Sequence, residues 1–247
     1  MFPEIGTVGP LTFHSFGLMV ALALIAAGYF LSLDLRDRGM SANLAFELML
    51  AGGIGGIVGA RVYYVIERGG GDGLFSGAGL VWYGGLIGGF LAVVGLALVR
   101  RLPVGTVANL SAPALAIGYC IGRIGCQLAG DGDYGSASDL PWAMSYPDGT
   151  VPTTESVHPT PLYEALSQLV IFWLLWRLRA RLAGGWALFG AYFVASGVMR
   201  FLVEFLRRNP EEAAGLTTAQ LISLALVVIG AALVWTGRGR TPRPATA

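Results

Sequence analysis

Six charged side chains fall inside or at the ends of long apolar runs, where a charge is costly. They are three arginines and three glutamates: Arg61, Arg123, Arg200, Glu47, Glu164 and Glu204. An arginine at the centre of a bilayer costs roughly 2.5–3.5 kcal/mol on insertion scales, so such residues normally face a cavity, a partner charge or a function. A guanidinium also matches a phosphate group in a bidentate fork. The pattern therefore indicates internal salt bridges or a site for a phosphate-like anion.

The second half of the chain places two of these charges and one further arginine on one helix face. Arg200, Glu204 and Arg207 are spaced i, i+4 and i+7, so Arg200 and Glu204 can pair. One interpretation is an internal salt bridge that supports the helix bundle. The other is a charged face that holds an anion, with Arg207 near the level of the lipid headgroups, where arginine also extends without a functional role.

Arg123 lies in a glycine-rich stretch, Gly122-Arg-Ile-Gly-Cys-Gln-Leu-Ala-Gly130. Glycines beside a guanidinium leave space for a bulky group, so we predict an anion site here. A salt bridge to a carboxylate such as Glu164 is the alternative. Asp131 and Asp133 follow in a glycine turn, and we predict no metal ion there, because two carboxylates in such a turn usually belong to the turn itself.

The histidines and cysteines offer few further reactive groups. His158 lies between an aspartate-rich loop and a Pro-x-Pro helix entry, so a proton-handling role is one interpretation and a structural role the other. His14 is interpreted as an interfacial residue. Cys120 and Cys126 are six residues apart in one apolar run. On a helix they would point about 240° apart, so we predict no disulfide.

The composition is that of a membrane protein. The 247 residues are 55% hydrophobic and 13% charged, with a mean hydropathy of +0.65, far from the quarter-charged composition of soluble domains. The net charge of +1 gives no support for a nucleic-acid partner. We predict an all-α polytopic fold, with one transmembrane domain over 1–236 and a short basic tail over 237–247. Its seven transmembrane helices are expected near 14–33, 43–66, 79–99, 107–129, 160–178, 184–206 and 217–236.

The arginines predict the orientation of these spans. One alternating set of loops carries ten arginines and the other carries Arg68, Arg207 and Arg208. The positive-inside rule therefore predicts an outer N-terminus and a cytoplasmic C-terminus, which requires an odd number of spans. The long loop 130–158 has no arginine and is expected outside.

Local signals predict helix starts and close helix contacts. Thr160 followed by Pro161 is typical of an N-cap with proline in the first turn, and Thr217 with Gln220 fits a capping box. The second and third spans carry glycines four residues apart: Gly52/Gly56, Gly55/Gly59, Gly84/Gly88 and Gly85/Gly89. Such pairs indicate tight helix packing, with a backbone surface shaped for a ligand as the alternative.

Several of these motifs resemble those of the prolipoprotein diacylglyceryl transferase family, in the same order along the chain. They are Gly59-Ala-Arg-Val-Tyr-Tyr64, Tyr83-Gly-Gly-Leu-Ile-Gly88, Gly122-Arg-Ile-Gly125, His158-Pro-Thr-x-Leu-Tyr-Glu164 and Arg200-x-x-x-Glu204-x-x-Arg207. The resemblance extends from Phe16-Gly-Leu-Met to the seventh span, so it covers nearly the whole chain.

The resemblance implies a reaction. The diacylglyceryl group of phosphatidylglycerol would move to the lipobox cysteine thiol of a preprolipoprotein, forming a thioether and releasing glycerol phosphate. The expected location is the bacterial cytoplasmic (inner) membrane, with the active site towards the outer side. The implied partners are phosphatidylglycerol, the lipobox segment and membrane lipid, and we expect no cofactor.

The resemblance also implies a set of site residues. The catalytic candidates are Tyr83, Arg123, Arg200, Glu204 and His158. The candidates for binding phosphatidylglycerol are Arg123, Arg200, Arg207, Gly84, Gly85 and Cys126. Each arginine would act through positive charge placed at the leaving group.

Three positions depart from the family pattern. Tyr83 replaces a histidine, Cys126 an asparagine and Phe16 a tyrosine. A tyrosine, with a reference pKa of about 10, is a poorer base at neutral pH. The departures leave a second hypothesis open: an altered paralogue that binds anionic phospholipid or uses another acceptor. A small anion transporter is a third, disfavoured because the glycine-rich spans have no counterpart in the second half.

Overall fold

The computed structural model describes residues 1–9, 11–67, 82–210, 212 and 215–237. Seven α-helices lie in these residues, one on each predicted apolar run. They are α1 (Ser15–Asp37), α2 (Asn43–Glu67), α3 (Trp82–Val99), α4 (Val104–Ala129), α5 (Thr160–Leu178), α6 (Ala187–Glu204) and α7 (Thr218–Gly237). Two short antiparallel hairpins add to the helices. The first joins β1 (Glu4–Val8) to β2 (Leu11–His14), and the second joins β3 (Met144–Tyr146) to β4 (Thr153–Val157).

Five of the described helices, α1, α2, α4, α6 and α7, are long and apolar enough to cross a membrane. In α3 the apolar part is the shorter Gly84–Val99. The first turns of α5 carry Glu164, Ser167 and Gln168, and Gln168 donates a hydrogen bond to Ser196 of α6 at 3.1 Å. The fold is therefore that of a polytopic membrane protein, while the count of seven spans stays a prediction.

The described residues form two compact units, one from 31–107 and one from 1–30 with 108–237. In the unit 31–107, α2 and α3 pack through glycines at backbone contact. A Cβ on Gly88 would lie 2.3 Å from the carbonyl oxygen of Gly55, and a Cβ on Gly59 would lie 2.3 Å from that of Gly84. The predicted tight packing is confirmed, because only glycine permits this approach.

The unit 1–30 with 108–237 holds the larger core. Its buried apolar side chains come from α4, α5 and α6: Ala112, Ala116, Ile171, Leu175, Leu188, Met199 and Val203. Helices α6 and α7 approach through Gly190 and Gly230, where a Cβ on either glycine would lie 2.6 Å from the other's carbonyl oxygen. Gly197 of α6 and Gly237 of α7 add close contacts along the same helix pair, where a Cβ would lie 2.9 Å from the Ser223 carbonyl oxygen and 2.9 Å from Ala187, respectively. These glycines had not been singled out from the sequence.

The N-terminal segment and the loop 130–158 both contact the last turns of α4. Phe2 donates its backbone N–H to Leu128, near the end of α4, at 3.0 Å. Tyr146 of the loop 130–158 donates to Gln127 at 2.9 Å and stacks on Tyr134 with ring centroids 4.9 Å apart. The N-terminal segment and the loop thus lie at the same end of α4, and the loop is held by buried side chains.

The helix-start predictions have different outcomes. The capping box of α7 is confirmed, because Gln220 N–H donates to Thr217 Oγ1 at 3.2 Å and Thr217 N–H donates to Gln220 Oε1 at 3.0 Å. The predicted N-cap at Thr160 is wrong. Helix α5 is capped by Pro159 without a side-chain bond, and Thr160 is its first residue. The Thr160 hydroxyl instead donates to the carbonyl oxygen of Asp133. The absence of a disulfide is confirmed, since Cys120 and Cys126 are both free thiols.

Candidate active site

Glu164 lies at the centre of the charged cluster. Its side chain is fully buried in the first turns of α5. Oε2 lies 2.6 Å from Arg123 Nε and accepts from Tyr119 Oη at 2.6 Å. Oε1 lies 3.1 Å from Arg200 Nη1 and 3.6 Å from Arg207 Nη1. One buried carboxylate therefore contacts three guanidinium groups, whose positive charges oppose the cost of its desolvation.

Asp133 supplies a second carboxylate from the loop after α4. One oxygen contacts Arg123 Nη1 and the other contacts Arg207 Nη2. Arg207 Nη1 also donates to the backbone carbonyl of Asp133 at 3.0 Å. Burial acts to raise the pKa of Asp133, but the two guanidinium groups outweigh it and hold that pKa below its usual range. Asp133 is therefore ionised at neutral pH and bridges the two arginines.

Glu204, the last residue of α6, supplies the third carboxylate. Oε2 lies 2.7 Å from Arg200 Nη2 and 3.8 Å from Arg207 Nε. Oε1 accepts from Asn209 Nδ2 at 2.6 Å and from Thr217 Oγ1 at 2.8 Å. The predicted pairing of Arg200 with Glu204 is confirmed. Arg207 lies beyond the end of α6, yet its side chain still approaches Glu204 from the same helix face as Arg200.

Charge in this cluster is balanced: the three arginines Arg123, Arg200 and Arg207 face Asp133, Glu164 and Glu204. Tyr119 joins the network because Arg123 Nη2 donates to its hydroxyl at 3.1 Å. The salt bridge of Arg123 to Glu164, which the sequence left as an alternative, is present. It does not exclude anion binding, because a guanidinium carries five N–H donors and can hold a carboxylate and a phosphate together.

Cys126 lies at the edge of the cluster, one turn from Arg123, whose Nη1 is 3.9 Å from Sγ. Burial raises the pKa of Asp131, although a hydrogen bond with Cys126 opposes the rise. Potential metal-ligating atoms of Cys126, Asp131 and Asp133 lie within 4.8 Å of one another. The contact of Arg123 with Asp133 puts a guanidinium among these atoms, and its positive charge favours an anion over a cation at this position.

His158 lies beside Tyr163, just before the start of α5. Its Nδ1 lies 3.3 Å from Tyr163 Oη, and that hydroxyl accepts from Trp142 Nε1 at 2.8 Å. The His158 carbonyl accepts from Gly135 N–H at 2.8 Å, which joins the histidine to the aspartate-rich loop. A proton-handling role for His158 stays a prediction.

Three predicted site residues lie in α3, in the unit 31–107. A Cβ on Gly84 would lie 2.4 Å from the carbonyl oxygen of Gly59, and one on Gly85 would lie 3.4 Å from that of Gly56. Packing therefore requires glycine at position 84, whereas position 85 has room for a Cβ at ordinary contact distance. The role of both glycines in lipid binding stays a prediction. Tyr83 is in α3, but its side chain lies outside the described part of the chain.

Sequence reasoning missed four members of the cluster. Asp133 was assigned to its turn, and Tyr119, Asn209 and Thr217 were not considered as site residues. A signal existed for Tyr119, which precedes Arg123 by four residues and so shares its helix face. Asn209 and Thr217 lie outside the helix that carries Glu204. Their hydrogen bonds to Glu204 therefore follow no helical spacing that the sequence could reveal.

Known proteins resemble this chain along most of its length. A family model described as prolipoprotein diacylglyceryl transferase matches residues 3–236. A phosphatidylglycerol–prolipoprotein diacylglyceryl transferase of Clostridium tetani is 33% identical over 241 residues, covering 93% of this chain and 95% of the relative. A protein of the same name from Chromohalobacter salexigens is 33% identical over 258 residues, covering 96% and 94%. A third, from Methylibium petroleiphilum, is 34% identical over 258 residues, covering 94% of each.

Proposed function

The chain belongs to the prolipoprotein diacylglyceryl transferase family, and from this premise we propose that it transfers the diacylglyceryl group of phosphatidylglycerol to a lipobox cysteine of a preprolipoprotein. In this reaction the thiolate sulfur attacks the diacylglyceryl carbon bonded to the phosphate oxygen. A C–S bond forms, that C–O bond breaks and glycerol phosphate leaves. The thiol proton passes to a base.

The observation that carries this proposal is the group of three arginines around Glu164. As the C–O bond breaks, a phosphodiester with one negative charge becomes a phosphomonoester with up to two. Arg123 contacts Glu164 Oε2 and Asp133, and Arg200 and Arg207 contact Glu164 Oε1. Guanidinium groups already oriented by buried carboxylates stabilise this growing charge without having to reorganise.

The remaining roles follow from the resemblance. Arg123 and Arg200 bind the departing phosphate, with Arg207 completing the set and Glu204 orienting Arg200. Tyr83 accepts the thiol proton or hydrogen-bonds the thiol. His158, just before the start of α5, assists proton transfer. Cys126, Gly84 and Gly85 border the bound phosphatidylglycerol. The reaction requires no cofactor, because the substrate supplies the leaving group.

We further propose seven spans in a single domain over 1–236, with the N-terminus and the active site at the outer side of the bacterial cytoplasmic membrane. The arginine-poor loop 130–158 adjoins the charged cluster, which supports an outer site. The contact of Phe2 with Leu128 supports an N-terminus on that same side. If each of the four helices α1 to α4 crosses the membrane, the N-terminal segment and the loop 130–158 lie on the same side, which agrees with this arrangement.

The test is transfer of labelled diacylglycerol from phosphatidylglycerol in nanodiscs to a lipobox peptide by the purified protein, with the thioether product identified by mass spectrometry. Arg123→Ala is expected to abolish product. Arg177→Ala is the matched control, because Arg177 lies at the far end of α5 with its guanidinium 4.9 Å from the Trp173 ring, and it should keep wild-type turnover.

Absence of transfer by a folded wild-type protein that binds phosphatidylglycerol would reject this function. It would favour the altered paralogue, to which the replacements at Tyr83 and Cys126 already point. Transfer that persists in Arg123→Ala would reject the role assigned to Arg123.

A further inference from the structure

Asp133 holds Arg123 and Arg207 as an anionic ligand would. Its two carboxylate oxygens each contact a different guanidinium group. Two non-bridging oxygens of a phosphodiester present the same pair of acceptors to the same pair of donors. One terminal nitrogen of each arginine that could bind a phosphate is therefore engaged by a side chain of the protein itself.

The three carboxylates of the cluster differ in how firmly they are held. The side chains of Glu164 and Glu204 have no exposed surface, whereas that of Asp133 is 29% exposed. The two glutamates lie on helices α5 and α6, and Asp133 lies in the loop after α4. Asp133 is also anchored through its backbone carbonyl, which accepts from Arg207 and Thr160. Its carboxylate can consequently turn away while the loop stays in place.

Charge balance indicates that an incoming phosphate displaces the Asp133 carboxylate from the two arginines. The three arginines and the three carboxylates that contact them carry equal and opposite charge, and the Asp131 carboxyl lies beside Asp133. An added phosphodiester would therefore bring an uncompensated negative charge into a partly buried site. Replacing the Asp133 carboxylate keeps the balance. We propose that Asp133 occupies the phosphate position of this site, and that the phospholipid headgroup binds by displacing its carboxylate from Arg123 and Arg207. This inference rests on the proposed function, because the headgroup is that of the proposed donor lipid.

The same exchange has a consequence after the reaction. The phosphomonoester carries more negative charge than the phosphodiester, so the neutral balance is lost when the product forms. Return of the Asp133 carboxylate to the two arginines then competes with glycerol phosphate and speeds its departure. Asp133 acts as a positioning residue, since it acts on the substrate through Arg123 and Arg207.

The test is the binding of glycerol phosphate to the full chain in phosphatidylcholine nanodiscs, measured by isothermal titration calorimetry. Asp133→Asn removes the competing charge with little change in shape and is expected to lower the Kd at least about tenfold. In the transfer assay the same variant should lower KM for phosphatidylglycerol and lower kcat, because product leaves more slowly. A purely structural role would weaken binding and lower kcat without lowering KM.

Two controls separate charge from shape. Asp139→Asn removes one charge from an exposed position of the same loop and should leave the Kd unchanged. Asp133→Glu keeps the competing charge and should stay within about threefold of wild type. The proposal is overturned if Asp133→Asn binds glycerol phosphate no more tightly than wild type, or if Asp133→Glu binds it as tightly as Asp133→Asn does.

A measurement on the wild-type chain covers the case in which Asp133→Asn does not fold. Infrared difference spectra of protein with 13C-labelled aspartate carboxylates should show a shifted carboxylate stretch when glycerol phosphate binds, and binding without a shift overturns the proposal. Tighter binding in Asp133→Asn, in a protein that never transfers diacylglycerol, would reject the proposed function and leave the displacement of Asp133 standing.

Discussion

Arg123 Nε lies 2.6 Å from Glu164 Oε2, although the two residues come from different helices. The other oxygen of Glu164 accepts from Arg200 Nη1 at 3.1 Å. A single buried carboxylate on α5 thus sets the orientation of guanidinium groups on α4 and α6. The orientation of these guanidinium groups and the packing of α4, α5 and α6 depend on the same ion pairs.

Glu164→Gln is expected to lower both activity and stability. Removing one partner of a buried ion pair costs about 3–5 kcal/mol, because the remaining charges are left uncompensated. We expect at least about a hundredfold loss of transfer and a lower Tm in detergent. Glu155→Gln is the control, since Glu155 pairs with Arg208 at 2.5 Å on the exposed surface, where such pairs contribute about 0–1 kcal/mol. Equal Tm for the two variants would contradict the central role of Glu164.

Thr217→Val should destabilise the start of α7. The hydroxyl accepts from Gln220 N–H and donates to Glu204 Oε1, so the substitution removes an N-cap and a buried hydrogen bond. An N-cap alone contributes about 1 kcal/mol, and roughly 2–4 °C of Tm accompanies each kcal/mol in a chain of this size. Thr218→Val at the exposed neighbouring position is the control. Thermal unfolding followed by circular dichroism would give the difference, and a Tm equal to that of Thr218→Val would speak against the cap.

Gly88→Ala should separate α2 from α3. The added Cβ would lie 2.3 Å from the carbonyl oxygen of Gly55, whereas a Cβ on Gly95 of the same helix meets no atom within 4 Å. We expect Gly88→Ala to cost about 1–3 kcal/mol through overpacking, and Gly95→Ala to be neutral or slightly stabilising. Tm and the yield of monodisperse protein are the measurements. A Gly88→Ala variant as stable as Gly95→Ala would exclude backbone contact at this point.

Substitutions at Tyr83 test the base. If the phenol accepts the thiol proton, Tyr83→Phe should lower kcat by about 10²–10⁴-fold, the usual contribution of general acid–base catalysis. Tyr83→His should restore or raise the rate and move the acid limb of the pH–rate profile to lower pH, because the reference pKa of histidine is about 6.5 against about 10 for tyrosine. A silent Tyr83→Phe would place the base elsewhere.

Acidification should release the ion pairs of Asp133. Four ionisable groups face its carboxylate: the guanidinium groups of Arg123 and Arg207, the Asp131 carboxyl and the Cys126 thiol. The folded pKa of Asp133 is lowered, so its stabilisation is fully present above the unfolded value of about 3.9 and is lost as pH falls through the folded value. Wild-type Tm should therefore fall more steeply below about pH 4 than that of Asp133→Asn. Parallel Tm curves from pH 7 to pH 3 would contradict this linkage.

Much of the helical architecture follows from patterns within short stretches of sequence. The apolar runs predict where all seven helices lie, because a helix satisfies its own backbone groups and needs only a suitable length and hydropathy. The pair Arg200–Glu204 and the capping box of Thr217 with Gln220 are equally local, since their spacing places the partners within one turn. The predicted span 160–178 coincides with α5, but its N-cap was assigned one residue too late. The Thr160 hydroxyl bonds to a distant loop instead of capping the helix, an alternative that no local pattern reveals.

The sequence by itself determined the membrane class, the helices, the family resemblance and the arginines suited to a phosphate. Only the tertiary structure decided how those arginines are compensated. It places Glu164 among three guanidinium groups and sets Asp133 across Arg123 and Arg207. These contacts join α4, its following loop, α5 and the end of α6. Which carboxylate contacts which arginine depends on how separate helices pack. Spacing along the chain does not reveal that packing, because it involves residues far apart in sequence.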